Sequence, residues 1–575
     1  MSSGSRYRFG PFTFDAHGRM LLRGEKDLGL PPKAADTLLA LLEKAGSVVD
    51  KTTLLDCVWA GRVVGEGSLT RTISILRKAL GGDDASRAYI ATVSKRGYRF
   101  VAPIDEGAGG KPADPRVMLA VLPFENLGAG RAHDYFSDGL TEEMIAQLSA
   151  LNPQRLGVIA RTSSMMFKDS KKRTGDIGRD LRVHYLLEGS VRRSRGRVRI
   201  AAQLIQVSDE TQVWAENYER KAGDVLRLQC EVAEAIAREI QVKFSPRVSR
   251  RPDIALEVPV KAYEAFLKGR HLLNQRTETG MQGSIAQFEA ALRFCPTYAP
   301  AYAGIADANV MLACRGMLPA KETFRRARAA ARKALELDVE LGDAHGSLAH
   351  VRLHDWDWEG LDQDFRRATD LNPSLAIVHY WYAEYLMCQG KPEAAIASAE
   401  SAYRLDPLSP VIRSSLAMIL YLARRYDRAA TLVVEALEAT PDHFLPHLRL
   451  GLIRTQQRQY GDALVHLRKA LKLSGQSTET LAALALGHAA SGDRRAAQAI
   501  VNRLERMKGK RYVLPYNIAR IYAAARDRER ALAWLETAYE GGNPDLIELN
   551  SEPVFDSLRG DRRFAHLMRR IGWAV

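Results

Sequence analysis

The chain has 575 residues, 46% of them hydrophobic and 26% charged, with Lys and Arg exceeding Asp and Glu by 83 to 68. That length predicts about three to five folded units, and the composition excludes an intrinsically disordered chain. A formal charge of +15 favours a polyanionic partner without saying which one. No stretch reaches the ~18–20 apolar residues of a membrane span, and the most apolar one, Leu416–Ala423, is too short. The first nine residues lack the apolar core of a signal peptide, so a cytoplasmic chain without membrane contact is expected. Cys57, Cys230, Cys295, Cys314 and Cys388 are scattered with no Cys-x-x-Cys pair, which argues against a disulfide framework or a zinc site.

In chain order, Tyr7-Arg-Phe9, Phe12-Thr-Phe14 and Met20-Leu-Leu22 alternate as short antiparallel strands do. Behind Pro31-Pro32, the spacing of Ala35, Leu38, Leu39 and Leu42 predicts a helix. A second helix carries Leu54, Leu55, Val58 and Trp59. A third starts at Ser68 as N-cap, ends at Gly81-Gly82, and buries Leu69, Ile73, Leu76 and Leu80. Its other side shows Thr70, Arg71, Thr72, Ser74, Ile75, Arg77 and Lys78. A basic hairpin, Tyr89–Val101, follows.

Three helices and a basic two-stranded wing predict a winged helix-turn-helix, an α+β domain over residues 1–104. The phrases Asp50–Trp59, Ile73–Leu80 and Gly97-Tyr-Arg-Phe100 resemble the DNA-binding domain of the OmpR/PhoB response-regulator family, in its CadC/HilA-like form. The resemblance implies double-stranded DNA as partner. A helix fits the major groove, where side chains can tell all four base pairs apart. Arg71, Ser74 and Lys78 share one face that can enter it, with Thr70 beside them. Thr72 and Ile75 flank that face, Ile75 being placed for a thymine methyl. Ser68 and Arg77 are expected to hold phosphates. On the wing, Lys95 and Arg96 can reach the backbone or minor groove, with Thr92 and Ser94 nearby. The family's receiver has no counterpart ahead of this domain, so control by aspartyl phosphate is not expected. By analogy with the family's tandem half-sites a dimer on DNA is expected, and RNA polymerase is a further expected partner.

A Gly- and Pro-rich linker, 105–114, leads to a domain over 115–245. Arg116–Asn126 opens with a buried-strand run, followed by a helix at Phe136–Leu151, a strand at Leu156–Ala160 and a short helix at Ile177–Leu181. Strands at Tyr185–Val191 and Val198–Val207 and a long amphipathic helix, Ala222–Phe244, complete an α/β pattern with an antiparallel part. Ala120–Asn126, Asp138–Glu143, Arg161–Ser164 and Leu187–Arg192 resemble a domain found between winged helices, or adenylate-cyclase catalytic domains, and helical repeats. It is similar to the N-terminal domain of TolB. No catalytic set emerges. Gly128-Ala-Gly130 lacks the Gly-Lys-Ser/Thr ending of a phosphate loop, and Glu188-Gly-Ser190 lacks the glycine of a nucleophile elbow. Arg161, Thr162 and Ser163 read as turn chemistry in preference to an anion cradle. Arg192–Arg199 reads as a basic hairpin tip. An enzyme is therefore not expected, and no cofactor.

Beyond a Pro- and Arg-rich linker, 246–259, the phrases ending at Pro373, Pro407, Pro441 and Gly475 recur every 34 residues. Small residues precede them at fixed offsets, as at Ala395, Ala429 and Ala463. The pattern resembles tetratricopeptide repeats, about eight of them over 260–543, with a terminal cap at 544–575. Stacking of such pairs gives an all-α superhelix whose concave groove takes a protein or peptide. The interval from Pro296 to Pro373 is 77 residues, so an early repeat carries an insertion. Trp356-Asp-Trp358 and the repeat tyrosines read as packing. His345, His350, His354, His379, His443, His447 and His466 show no metal-ligand constellation. The whole is a multidomain chain read as a one-component bacterial transcription regulator. The alternatives are a repeat scaffold whose DNA binding is secondary, and a small-molecule sensor acting through the middle domain.

Overall fold

The computed structural model describes residues 6–102, 116–240 and 258–573, less 16–19, 24–25, 43–47, 59–65, 81–88, 94–96, 129–133, 153–154, 195–196, 222–224 and 508–510. Two compact units result, 1–115 and 116–575.

In the first unit, β1 (Arg6–Phe9), β2 (Phe12–Asp15), β3 (Met20–Arg23) and β4 (Lys26–Asp27) form an antiparallel meander. Their alternation turns Phe9, Phe12, Phe14 and Leu21 inward. Next come α1 (Pro32–Leu42), β5 (Val48–Asp50), α2 (Lys51–Val58), α3 (Glu66–Ala79), β6 (Ile90–Val93) and β7 (Gly97–Phe100), with strand order β5-β7-β6. One core joins the meander phenylalanines to Leu38, Leu54, Leu69, Ile73, Leu76 and Phe100. Asp50 caps α2: its carboxylate accepts the Thr53 N–H at 2.8 Å and the Thr53 hydroxyl at 2.6 Å. Where β7 crosses β5, Gly97 lies so close that a Cβ there would sit 2.0 Å from the Val49 carbonyl oxygen.

The second unit opens with β8 (Val117–Val121), β9 (Glu125–Asn126), α4 (Asp134–Leu151), β10 (Leu156–Val158), α5 (Arg161–Met165), α6 (Thr174–Leu181), β11 (Tyr185–Ser194), β12 (Arg197–Gln206), β13 (Thr211–Lys221) and α7 (Val225–Glu239). The sheet order is β10-β8-β11-β12-β13, parallel up to β11 and antiparallel beyond it. Strand β13 is absent from the sequence expectation. It is an exposed, mostly polar edge strand, so no apolar alternation marks it.

Among the described residues, sixteen helices follow in antiparallel pairs, from Val260–Asn274 to Arg528–Glu540. The first helices of successive pairs begin at Ala376, Pro410, Phe444 and Thr478, keeping the period of the sequence. Ala395, Ala429 and Ala463 are fully buried, which lets the paired helices approach. The early insertion lengthens two helices, Ala299–Cys314 to 16 residues and Ala320–Leu337 to 18.

Sheet and repeats share their cores. One cluster joins Leu119, Val121 and Leu140 to Phe266, Phe288 and Ala301. Another joins Ala120, Ile159 and Leu186 to Ala402, Leu405 and Ile412. The phrases that mark the middle domain make this joint. Glu142 receives Arg270 Nε at 2.6 Å and Asn274 Nδ2 at 3.0 Å, with Arg161 at 3.3 Å. Ser163 donates its N–H at 2.9 Å and its hydroxyl at 2.6 Å to buried Asp406, and its Oγ accepts the Leu408 N–H at 2.9 Å. Arg161–Ser163 is thus a docking turn.

Burial pushes the Asp406 carboxyl up to about 6, against the pull of the Ser163 hydrogen bonds and the Arg276 guanidinium. A carboxyl with a raised folded pKa favours folding most when protonated. Its contribution is full below about pH 4 and falls as pH rises through about 6. Asp406→Asn keeps an accepting oxygen and removes the titration. Its melting temperature, relative to wild type, is expected to climb between about pH 4 and pH 7. A calorimetric difference that stays constant over that range would refute this.

The segment after the last pair turns back along the first helices of earlier pairs. Short 3-10 turns at Pro544–Glu548 and Pro553–Leu558 precede a helix at Arg562–Ile571. Cys388 Sγ donates to the Ile547 carbonyl at 3.0 Å, and Asn550 Nδ2 donates to the Cys388 carbonyl at 3.1 Å. Glu552, fully buried, pairs with Arg520 at 3.0 Å and accepts the Tyr421 hydroxyl at 2.8 Å. Trp358 Nε1 donates to the Ile571 carbonyl at 2.7 Å, and Trp356 stacks on Tyr539. Along this stretch the first helices of the pairs are covered by residues 544–571. No helix among the described residues is long and apolar enough to cross a membrane.

Candidate nucleic-acid interface

Helix α3 has two faces of opposite character. Leu69, Ile73, Leu76 and Leu80 are buried against α1 and the sheet. Thr70, Arg71, Ser74 and Lys78 are exposed; Arg71, Ser74 and Lys78 lie three, four and seven residues apart and Thr70 four before Ser74, so they share one side of the helix. A hydroxyl pair flanked by two cations is suited to base edges and phosphates alike.

Several expected contacts sit elsewhere. Helix α3 starts at Glu66, so Ser68 lies inside the first turn and is not the N-cap. Thr72 is only 7% exposed, and its hydroxyl donates to the Ser68 carbonyl at 2.8 Å. It belongs to the buried side, because a back-bonded threonine satisfies its own hydroxyl. Ile75 is half-buried against the core, which leaves only part of its side chain outward.

Arg77 is turned inward to the wing. Its Nη2 donates to the Ile90 carbonyl and to Thr92 Oγ1, each at 2.8 Å. This clamp fixes the angle between α3 and the β6–β7 hairpin, and it engages Thr92 as well. Arg77, half-buried in this clamp, thus positions the wing through Nη2, whatever phosphate contact its other nitrogens make. Its position in sequence gives no hint of this, since the partners are 13 and 15 residues away. Ser94, Lys95 and Arg96 lie outside the described residues. Arg99, absent from the expected set, is exposed on β7 between buried Tyr98 and Phe100.

Residues 24–100 match the family described as the C-terminal domain of transcriptional regulatory proteins. Residues 115–235 match the second domain of HilA/YgeH-like transcriptional regulators, and 386–449 match a tetratricopeptide repeat. The transcriptional regulator HilA of Salmonella typhimurium is 27% identical over 434 residues, 75% of this chain and 76% of that protein. The transcriptional activator CadC of Escherichia coli is 35% identical over 98 residues, 17% of this chain and 19% of CadC. A Rhizobium meliloti protein carrying an adenylate cyclase name is 32% identical over 241 residues, 41% of this chain and 40% of that protein. The chain thus joins a winged-helix domain of the transcriptional regulatory type to a HilA-like second domain and tetratricopeptide repeats, and it is a homologue of the HilA and CadC transcriptional regulators.

Proposed function

We propose that this chain is a sequence-specific, one-component regulator. In this reading α3 reads promoter DNA, and residues 116–575 act as the input module in place of a receiver phosphorylation site. The observation that carries the reading is the exposed stripe Thr70, Arg71, Ser74 and Lys78 on a helix pinned to its wing by Arg77. Arg71 and Ser74 supply base contacts, Lys78 a phosphate contact, and Lys95 and Arg96 the wing's hold on the backbone. A role on DNA places the protein in the cytoplasm. Protein partners of the input module, RNA polymerase among them, engage surfaces other than the stretch covered by residues 544–558. Dimerisation on tandem half-sites belongs to the same proposal. The middle domain and repeats share cores, so a signal received anywhere on 116–575 is received by one body.

Arg71→Ala is expected to relax preference at one base pair by about 1–3 kcal/mol. Lys78→Ala is expected to weaken binding evenly and to lower the salt slope by about one. Competition binding against single-base operator variants distinguishes the two. Equal losses on every variant for Arg71→Ala would remove it from base readout. Genome-wide occupancy that is diffuse and salt-labile, without a shared motif, would overturn the regulator reading itself.

A further inference from the structure

The first helices of three successive pairs bring four donor side chains together beneath the C-terminal segment. Cys314 ends the helix Ala299–Cys314, His350 and His354 lie one turn apart on Gly342–His354, and Glu384 lies on Ala376–Cys388. His350 and Glu384 are 34 residues apart, the same position in adjacent repeats. Cys314 Sγ is 3.7 Å from His354 Nε2, which is 3.2 Å from His350 Nε2, which is 3.3 Å from Glu384 Oε2. The ligand atoms of Cys314, His350 and His354 all lie within 4.8 Å of one another. The sequence gives no reason to group them: only the stacking of repeats closes the distance.

We propose that Cys314, His350, His354 and Glu384 form a tetrahedral site for a zinc-class divalent ion. Zinc bonds of about 2.0–2.3 Å in a tetrahedron put neighbouring donors about 3.3–3.6 Å apart; the three successive contacts here, 3.7, 3.2 and 3.3 Å, are close to that, and Glu384 would have to swing in from its contact with His350 to complete the set. One thiolate, two imidazoles and a carboxylate suit zinc; magnesium and calcium take oxygen sets.

The surroundings orient the donors. His354 Nδ1 meets the Pro544 carbonyl at 3.0 Å, which holds the proton on Nδ1 and leaves the Nε2 lone pair facing the cluster. His354 stacks on Phe324 with ring centroids 5.0 Å apart, and His350 on Trp381 at 4.3 Å. The Tyr380 hydroxyl donates to Glu384 Oε1 at 2.5 Å, leaving Oε2 for the cluster. Binding releases the thiol proton to solvent. Because Pro544 holds one ligand ring, the ion and the docked segment stabilise each other.

The test uses the full chain, stripped of metal with a chelator and titrated with cobalt(II). The expected result is one cobalt per chain, with intense visible bands of tetrahedral cobalt, a near-ultraviolet thiolate charge-transfer band, and displacement of both by zinc. Cys314→Ser is expected to abolish the charge-transfer band and weaken binding at least about tenfold. The double variant His350→Ala/His354→Ala is expected to show no tetrahedral bands. A wild-type chain showing only the weak spectrum of aqueous cobalt overturns the proposal, as does a charge-transfer band that survives in Cys314→Ser. Should the double variant fail to fold, as read by far-ultraviolet circular dichroism, the wild-type and Cys314→Ser spectra decide alone.

Discussion

Replacing Glu552 by alanine is expected to cost the second unit about 3–5 kcal/mol, because it removes one half of a buried ion pair and leaves the other half in place. Arg520 is 9% exposed and has Glu552 3.0 Å away. The same carboxylate accepts the Tyr421 hydroxyl and, at 3.3 Å, the Val554 N–H that starts the second 3-10 turn. Loss of the carboxylate strands a guanidinium, a phenol and a turn N–H together. Glu552→Gln retains the volume and an acceptor for Tyr421, so its loss should be smaller. The double change Arg520→Met/Glu552→Leu should recover much of the deficit, since it removes both desolvated charges at once. Urea unfolding of the full chain, followed on the transition of the repeats, measures all three. An alanine variant within about 1 kcal/mol of wild type would mean that the segment is not held by this pair.

The second large effect is expected at Gly97, in the other unit. A Cβ there would meet the Val49 carbonyl oxygen at 2.0 Å and Asp50 Cα at 2.8 Å. Both obstacles are backbone, so no side-chain rotation relieves them. The register Asp50↔Gly97 would have to open, and with it the pairing that joins α2 to the wing. Gly97→Ala should therefore exceed the ~1–3 kcal/mol of ordinary overpacking. The footprint on DNA should vanish while the helical signal of residues 116–575 stays. A variant that footprints like wild type would show that β5 and β7 can part without harm to the interface.

Helix α3 was legible from sequence because 3.6-residue periodicity separates Leu69, Ile73, Leu76 and Leu80 from Arg71, Ser74 and Lys78. Thr72 was misplaced for a reason intrinsic to threonine. It is polar by type, yet its hydroxyl can bond back to Ser68 and its methyl can enter a core. The Arg77 clamp is not legible in sequence, since its partners belong to a hairpin whose approach is tertiary. The repeat period and its buried alanines were readable, because each pair packs on the next by one rule. The landing place of Pro544–Leu558 was not, because Cys388 and Tyr421 lie far earlier in sequence than Ile547 and Glu552. The four donors at Cys314, His350, His354 and Glu384 fall between these cases. His350 and His354 are four apart, but nothing in the sequence sets Cys314 or Glu384 beside them; the stacking of repeats does.

The docked C-terminal segment is a resident competitor. It is tethered to the array it lies on, so its local concentration is fixed by the chain and does not dilute. Any peptide that enters by the same face must displace it, and its apparent dissociation constant rises by the ratio of docked to undocked chain. A docking preference of about 3 kcal/mol raises that constant roughly a hundredfold. Residues 544–558 would therefore set an affinity threshold for any peptide approaching by this face, which is consistent with partners that engage other surfaces.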